Sequence, residues 1–559
     1  MCPYVGVPRH LLQLHVSRAA LAGCLLLAAC AGPKSDEGTG ADEAAASELV
    51  LQGSFVETTK EAFGPQPCGP GLSEGCYSND VVVCDLNGDG NLDVVFANGG
   101  GHFVPRNAEK SVVYFGDGKG AFTDGASAFA DPILPSRVRQ VVVGDINGDG
   151  LLDLYLPGGF GLDDDQLFMS SKTGFKNEAS TRLPSGSRRS RAGGAHLGDL
   201  DNDGDLDLVV IDWGPQPNPD VPGVSPVTVK LLINDGRGVF TLRRTLDAPD
   251  GSSATDVDLQ DLDGDFDLDI VVTNRNGQSR LFLNQGGSFT DVTVSKAFPP
   301  KRGKFSFNAE ACDVDGDGHL DLLFEGAASN VPGHDTQLLM NDGTGTFTDQ
   351  TELRIKLEPM TDDNQVKCAD VDNDGHFDLL VGSLGNRGEK LFINNGKGFF
   401  TEAKNKVPAI IDPTLAVGVG DFDGDGRVDF VTAQGENPSL PFLNRVYKNN
   451  LTVKRDVNAP VFRRVETPVA AAGRPTVLRL AVTDAQTSET GQQVKQVSVS
   501  VTVDQKPATE IAAQFSGGDV FRAVIPPQRA GAVLTVTPIA VDRQGNTATH
   551  VRQRIVVAP

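Results

Sequence analysis

The sequence predicts an all-β chain, a seven-bladed β-propeller followed by a β-sandwich, on three observations. An acidic nine-residue segment recurs seven times, starting at Asp85, Asp145, Asp199, Asp261, Asp313, Asp370 and Asp421, with spacings of 51 to 62 residues. Apolar, β-prone runs flank each copy, and glycine-rich turns follow. Beyond residue 456 the acidic repeat gives way to short strands of alternating polarity. With 559 residues, 64 Gly and 33 Pro, the chain is long enough for several turn-rich domains, each with a buried core.

The seven copies read DLNGDGNLD, DINGDGLLD, DLDNDGDLD, DLDGDFDLD, DVDGDGHLD, DVDNDGHFD and DFDGDGRVD. NDVVVC and VVFAN bracket the first copy, and RQVVVG and LYLPG the second, so each loop is expected to join two antiparallel strands. A second hairpin follows in YFGDGKGAF, LLINDGRGVF, LFLNQGGSF, LLMNDGTGTF and LFINNGKGFF, where Asn, Asp and Gly supply the positive φ angles of tight turns. Four strands per unit fill residues 53–455 with seven blades. The last unit lacks the GxF strand, and GSFVETT at 53–59 supplies it. That segment is expected to complete the seventh blade and remove two open sheet edges.

These residues resemble the FG-GAP/VCBS repeat family, whose relatives include the integrin α-chain propellers. The resemblance covers roughly residues 53–450. It implies a calcium-bearing propeller, extracellular as a rule and used as a binding platform, without fixing a ligand.

The loop chemistry points the same way. The spacing DxDxDGxxD sets oxygen ligands at positions 1, 3, 5 and 9, with the position 7 carbonyl as a further donor. All-oxygen ligation rich in carboxylates, on a flexible loop, suits Ca²⁺ better than Mg²⁺. The expected ligands of up to seven ions are Asp85, Asn87, Asp89 and Asp93; Asp145, Asn147, Asp149 and Asp153; Asp199, Asp201, Asp203 and Asp207; Asp261, Asp263, Asp265 and Asp269; Asp313, Asp315, Asp317 and Asp321; Asp370, Asp372, Asp374 and Asp378; and Asp421, Asp423, Asp425 and Asp429. Asn87 and Asn147 lower the charge of the first two sites. In the fourth loop Phe266 stands where the others have Gly, which marks that site as distorted or weak. Position 8 is apolar throughout (Leu92, Leu152, Leu206, Leu268, Leu320, Phe377, Val428) and is expected to anchor each loop in the core.

At the N-terminus, Arg9 and Arg18 precede the apolar run Ala19–Ala29, too short to span a bilayer and built like a signal-peptide core. Leu27-Ala28-Ala29-Cys30 resembles a bacterial lipobox, with Cys30 the lipidated residue; Leu21-Ala22-Gly23-Cys24 also fits the pattern but leaves almost no apolar core, and a plain secretory signal is the alternative. The expected organisation is a signal at 1–29, a flexible linker at 30–52, the propeller at 53–455 and the sandwich at 456–559. The protein is read as exported and lipid-anchored at a bacterial outer membrane or cell surface, otherwise free of the membrane, and monomeric. Export permits disulfides. Cys68 and Cys76 bracket CGPGLSEGC and are the expected pair, although connectivity is not readable from sequence. Cys84, Cys312 and Cys368 precede acidic loops in strands and are expected to be buried thiols.

In such a meander the acidic loops share one face of the disc, and the long segments 97–109, 211–227 and 325–335 fall on the other, where recognition is expected. That face also receives Arg137 and Arg139, then Arg188, Arg189 and Arg191, then Lys301, Arg302 and Lys304, together with Trp213, the only tryptophan. They could meet an anionic glycan, or simply offset nearby aspartates. The formal charge of −25 argues against nucleic acid and anionic lipid, but the acidity is concentrated in the loops, which leaves one face free to be basic.

After Asp456, PTVLRLAVTD, VKQVSVSVTVD, AVLTVTPIAVD and their neighbours read as about seven strands of a sandwich. AVDRQGNTAT resembles the closing hairpin of bacterial Ig-like or fibronectin-III-like modules. The function expected is a cell-surface binding or adhesion protein for a glycan or protein ligand. The alternatives are a polysaccharide lyase or hydrolase on the same scaffold and a structural envelope protein. Catalysis needs a positioned base or carboxylate pair; His102 and His334 are the candidates, with no visible group to orient them, so binding is preferred.

Overall fold

A computed structural model describes residues 51–559 except 67–74, 100–107, 160–162, 189–190, 214–226, 249–252, 276, 302, 330–334, 357–360, 385–386, 436–441, 485 and 489–493. The signal segment, Cys30, Cys68, His102, His334, Arg189 and Arg302 lie outside the described residues. The described chain is all-β. Between Phe55 and Asn449 it forms seven four-stranded antiparallel sheets, six of them simple meanders such as Ser78–Cys84, Asp93–Asn98, Val112–Gly116 and Phe122–Asp124. In each, an acidic loop links the first strand to the second, so the loop is pinned between two ladders. The second strands are buried on both faces, as in Asp93–Asn98 and Asp429–Gln434, which explains their continuous apolar runs. Six of the seven position 8 side chains are buried; Leu152 is half-buried.

The seventh sheet is made from both ends of the repeat region. Phe55–Glu57 pairs antiparallel with Arg445–Asn449, Phe55 opposite Asn449, as the displaced GxF strand leads one to expect. Phe55 packs edge-on to Phe430 at 4.9 Å between ring centroids and is 1% exposed.

The first strands of successive sheets stand side by side, and one position in them joins neighbours. Five residues before each loop, Asp80 accepts from the Val141 amide at 2.9 Å, Gln140 from Ala195 at 2.7 Å, Asp256 from Ala309 at 3.0 Å, Asn308 from Val366 at 3.4 Å and Gln365 from Val417 at 2.6 Å. Gly194 and Ala416 occupy the two remaining equivalents. In six of the seven first strands this residue follows a register shift, and the bulge turns its side chain toward the next sheet.

The expected thiols at Cys312 and Cys368 are instead a disulfide joining the first strands of the fifth and sixth sheets. One cysteine lies one residue before its loop and the other two, an offset that lets the side chains meet across adjacent strands. Cys84 is buried, and Cys76 is disulfide-bonded.

Two further sheets follow. Val461–Val465, Thr476–Thr483, Val520–Ile525 and Gln514–Gly517 form one; Thr509–Ala512, Val494–Val503, Val533–Asp542, Thr547–Thr549 and Gln553–Val556 form the other. Their inward residues, including Leu478, Leu480, Val497, Val499, Phe521 and Val536, share one core. These C-terminal sheets lie against the acidic-loop side of the repeats. Arg463 donates to the Gly318 carbonyl at 2.8 Å, Arg543 to Gly90 at 3.3 Å, and the Asp199 amide to the Ser516 carbonyl at 2.7 Å.

Candidate metal centres

Each loop is shaped by its own aspartates. The position 1 carboxylate accepts from the position 6 amide, at 3.0 Å for Asp85 with Gly90 and 2.7 Å for Asp370 with Gly375. The position 5 carboxylate accepts from the position 7 amide, as Asp317 does from His319 at 2.9 Å. Position 6 has positive φ in every loop, from 78° to 104° where it is Gly. Position 4 is also left-handed, which accounts for Asn202 and Asn373, the residue type that best tolerates that conformation after Gly.

Position 9 has a second duty that the spacing does not reveal. Its two carboxylate oxygens divide between the start of the loop and the third strand. Asp269 accepts from Leu262 at 3.0 Å and Asn284 at 2.8 Å; Asp378 accepts from Val371 at 3.1 Å and Asn394 at 2.8 Å. All seven equivalents do the same and are buried, so this carboxylate staples the hairpin as well as facing the loop.

Three carboxylates converge in five loops, with one oxygen from each within 4.8 Å of the others: Asp199, Asp201 and Asp203; Asp261, Asp263 and Asp265; Asp313, Asp315 and Asp321; Asp370, Asp372 and Asp374; Asp421, Asp423 and Asp425. In the first two loops the position 3 residue is instead a neutral amide, Asn87 or Asn147, whose Nδ2 lies 3.1 Å from the position 5 carboxylate.

Several of these oxygens are buried without a hydrogen-bond donor: Asp85 Oδ1, Asp199 Oδ1, Asp201 Oδ1, Asp263 Oδ1, Asp315 Oδ1 and both oxygens of Asp372. A buried anionic oxygen without a partner is costly, and a cation is the partner that satisfies several at once. The donor set therefore fits a hard divalent ion. The electrostatics agree. Burial, then Asp203 and Asp201, push the Asp199 carboxyl up to about 7. Burial, then Asp374 and Asp372, push Asp370 up to about 8. A bound cation would reverse that penalty.

The opposite side is less open than the sequence suggests. Arg137 pairs with Asp163 at 2.8 Å. Trp213 is 1% exposed, and the Arg139 guanidinium lies over its ring at 4.2 Å, so the two form a buried stack rather than a platform for a ligand. Lys301 donates to the Arg275 carbonyl at 2.6 Å, and burial, then Arg275, lowers its ammonium to about 8. Arg188 and Arg191 are half-buried, and their carbonyls receive the Asp165 and Trp213 amides. The Lys304 side chain lies outside the described residues. Arg275 also belongs to this basic group, and its guanidinium lies 5.7 Å from the Phe307 ring centroid; it stands alone between neutral residues, so no charge run marks it in the sequence.

Between the first strands lies a cavity of about 190 Å³. His196, Asp258, Glu310 and Lys367 face it from four successive sheets, each three residues before a loop. Lys367 bonds Glu310 at 3.1 Å, and His196 lies 3.9 Å from Asp258. Ser488 of the C-terminal region bonds Glu310. Aligning the repeats on their loops would have exposed this tier as it does the ring of Asp80 and its equivalents.

Comparison with known proteins agrees with the repeats. A family model for the FG-GAP-like repeat matches residues 85–156, 261–324 and 370–432, so the chain carries FG-GAP-like repeats. Cartilage acidic protein 1 of Mus musculus is 27% identical over 197 residues, 33% of this chain and 29% of that protein. The Homo sapiens protein is 28% identical over 198 residues, with the same coverage. The chain thus matches less than a third of these relatives' length. Among solved structures, a fructofuranosidase from Schwanniomyces occidentalis complexed with fructose aligns over 89% of this chain and 96% of its own, at 7% identity and a TM-score of 0.29. A tetra-tandem repeat from the extending region of a large adhesion protein aligns over 86% and 99%, at 11% identity and a TM-score of 0.16. Both scores are too low to indicate a shared fold. Among the described residues, no helix is long and apolar enough to cross a membrane.

Proposed function

We propose that the protein is an exported, lipid-anchored binding or adhesion protein. Its seven sheets are the blades of a calcium-stabilised β-propeller, and its C-terminal sheets are an Ig-like module. The observation that carries the reading is the set of buried, donorless carboxylate oxygens in the repeat loops, which calls for cations and assigns those loops to stability. Asp199, Asp201 and Asp203, with their equivalents in the other loops, would hold Ca²⁺, whose chemistry here is charge neutralisation. The C-terminal sheets lie over the loop side, so the opposite side is the one available to a glycan or protein ligand. Three repeat matches and a partial likeness to an acidic cartilage protein fit an extracellular role.

The test is a glycan and polysaccharide array probed with calcium-loaded protein, assayed in parallel for new reducing or unsaturated ends. Binding without product is expected. Product formation would overturn the reading in favour of the alternative, catalysis within the cavity that holds His196, Asp258, Glu310 and Lys367. Replacing Arg188, Arg189 and Arg191 together should weaken an anionic ligand while leaving melting unchanged; intact binding would remove the basic-side idea.

A further inference from the structure

The fourth loop departs from its six equivalents in the sequence and again in its contacts. Phe266 holds φ at 68°, the left-handed conformation that Gly supplies elsewhere at position 6, so a bulky residue bears a steric cost that the other loops avoid. Its ring points to the C-terminal sheets and has the guanidinium of Arg464 at 5.0 Å and that of Arg479 at 5.5 Å from its centroid. Such stacking is favourable and acts against the backbone cost.

Both arginines continue into the loop. Arg464 Nη2 is ion-paired with Oδ2 of Asp261, the position 1 carboxylate, whose side chain is wholly buried. Asp261 Oδ2 also accepts from the Phe266 amide at 2.9 Å and Oδ1 from Gly264 at 2.9 Å, so both oxygens are satisfied. Arg479 Nη1 bonds Oδ1 of Asp267 at position 7, at 2.7 Å, and Asn202 of the preceding loop donates to the same oxygen at 2.7 Å. Asp263 Oδ1 is the one buried carboxylate oxygen of this loop without a donor, and it lies in the fields of Lys296 and Arg464.

We propose that the fourth loop is a socket for the protein's own C-terminal module, with the Arg464 guanidinium supplying at Asp261 the positive charge that a metal ion supplies in the other loops. Phe266, the departure from the repeat pattern, and Asp267, an acid at position 7 that the third loop also carries as Asp205, then act together: the first stacks both arginines and the second binds Arg479. The proposal rests on the calcium reading of the remaining loops.

Crystals of the full chain grown with calcium and soaked in a lanthanide test it. Anomalous peaks are expected among the carboxylates of the third, fifth, sixth and seventh loops and not between Asp261, Asp263 and Asp265. A peak there would overturn the proposal. Absence of peaks at every loop would overturn the calcium reading and this distinction with it. Independently, calcium per chain measured by elemental analysis should rise by one in F266G/R464M relative to wild type. An unchanged count in that variant would also overturn the proposal.

Discussion

The side-chain amide of Asn341 donates to the carbonyl of Leu262 at 2.8 Å, across 79 residues and from one sheet into the acidic loop of the one before it. The same amide reaches Leu320 in its own loop at 2.9 Å. Asn234, Asn284 and Asn394 make the same pair of bonds, and Asn449 makes the inter-sheet one with Val371. N341A should therefore lower stability by about 1–3 kcal/mol, since it orphans two buried carbonyls. Thermal melting in calcium checks this, and a change of under 1 °C would show that the clip contributes nothing.

Asp372, with both oxygens lacking donors, should behave oppositely in the two metal states. With calcium, D372N loses a ligand and should melt below wild type. With excess chelator it should melt above wild type, because an unpaired buried charge is gone. Wild type itself should fall sharply on chelation; a site held at a hundred times its Kd is worth about 2.7 kcal/mol.

Burial pushes the Asp80 carboxyl up to about 7. Because its folded pKa lies above the unfolded value of 3.8, the folded chain binds more protons in that window. Stability from this group therefore declines as pH rises from about 4 to 7 and then levels off. D80N removes the titration, so its advantage over wild type should grow across that range, by on the order of 1–4 kcal/mol. A difference that stays flat with pH would mean that Asp80 is ionised throughout.

The Cys312–Cys368 disulfide spans 56 residues and ties two sheets at their innermost strands. C312S/C368S should lose about 2–4 kcal/mol. Non-reducing peptide mapping should recover the linked pair from wild type.

The sequence makes the repeat legible because the hydrogen bonds of the acidic loop fix both residue type and spacing, and the missing GxF strand locates the closing partner of Arg445–Asn449. What stays hidden depends on contacts between units. Asn341 looks like a turn residue until Leu262 is placed beside it. Trp213 and Arg139 read either as a recognition surface or as loop packing and charge offset, and the structure buries Trp213 beneath the Arg139 guanidinium. Cys312 and Cys368 lie in separate repeats at different offsets from their loops, so only adjacency of their strands reveals the bond. Phe266 is correctly marked as a departure, but its reason lies some 200 residues onward, in Arg464 and Arg479.

Pairing of Phe55–Glu57 with Arg445–Asn449 carries an implication for biosynthesis. Phe55–Glu57 leaves the ribosome nearly four hundred residues before Arg445–Asn449, so its edge stays uncovered until that partner is delivered. Until then the nascent protein presents two open strands to its surroundings, and quality control of the chain would hinge on that stitch.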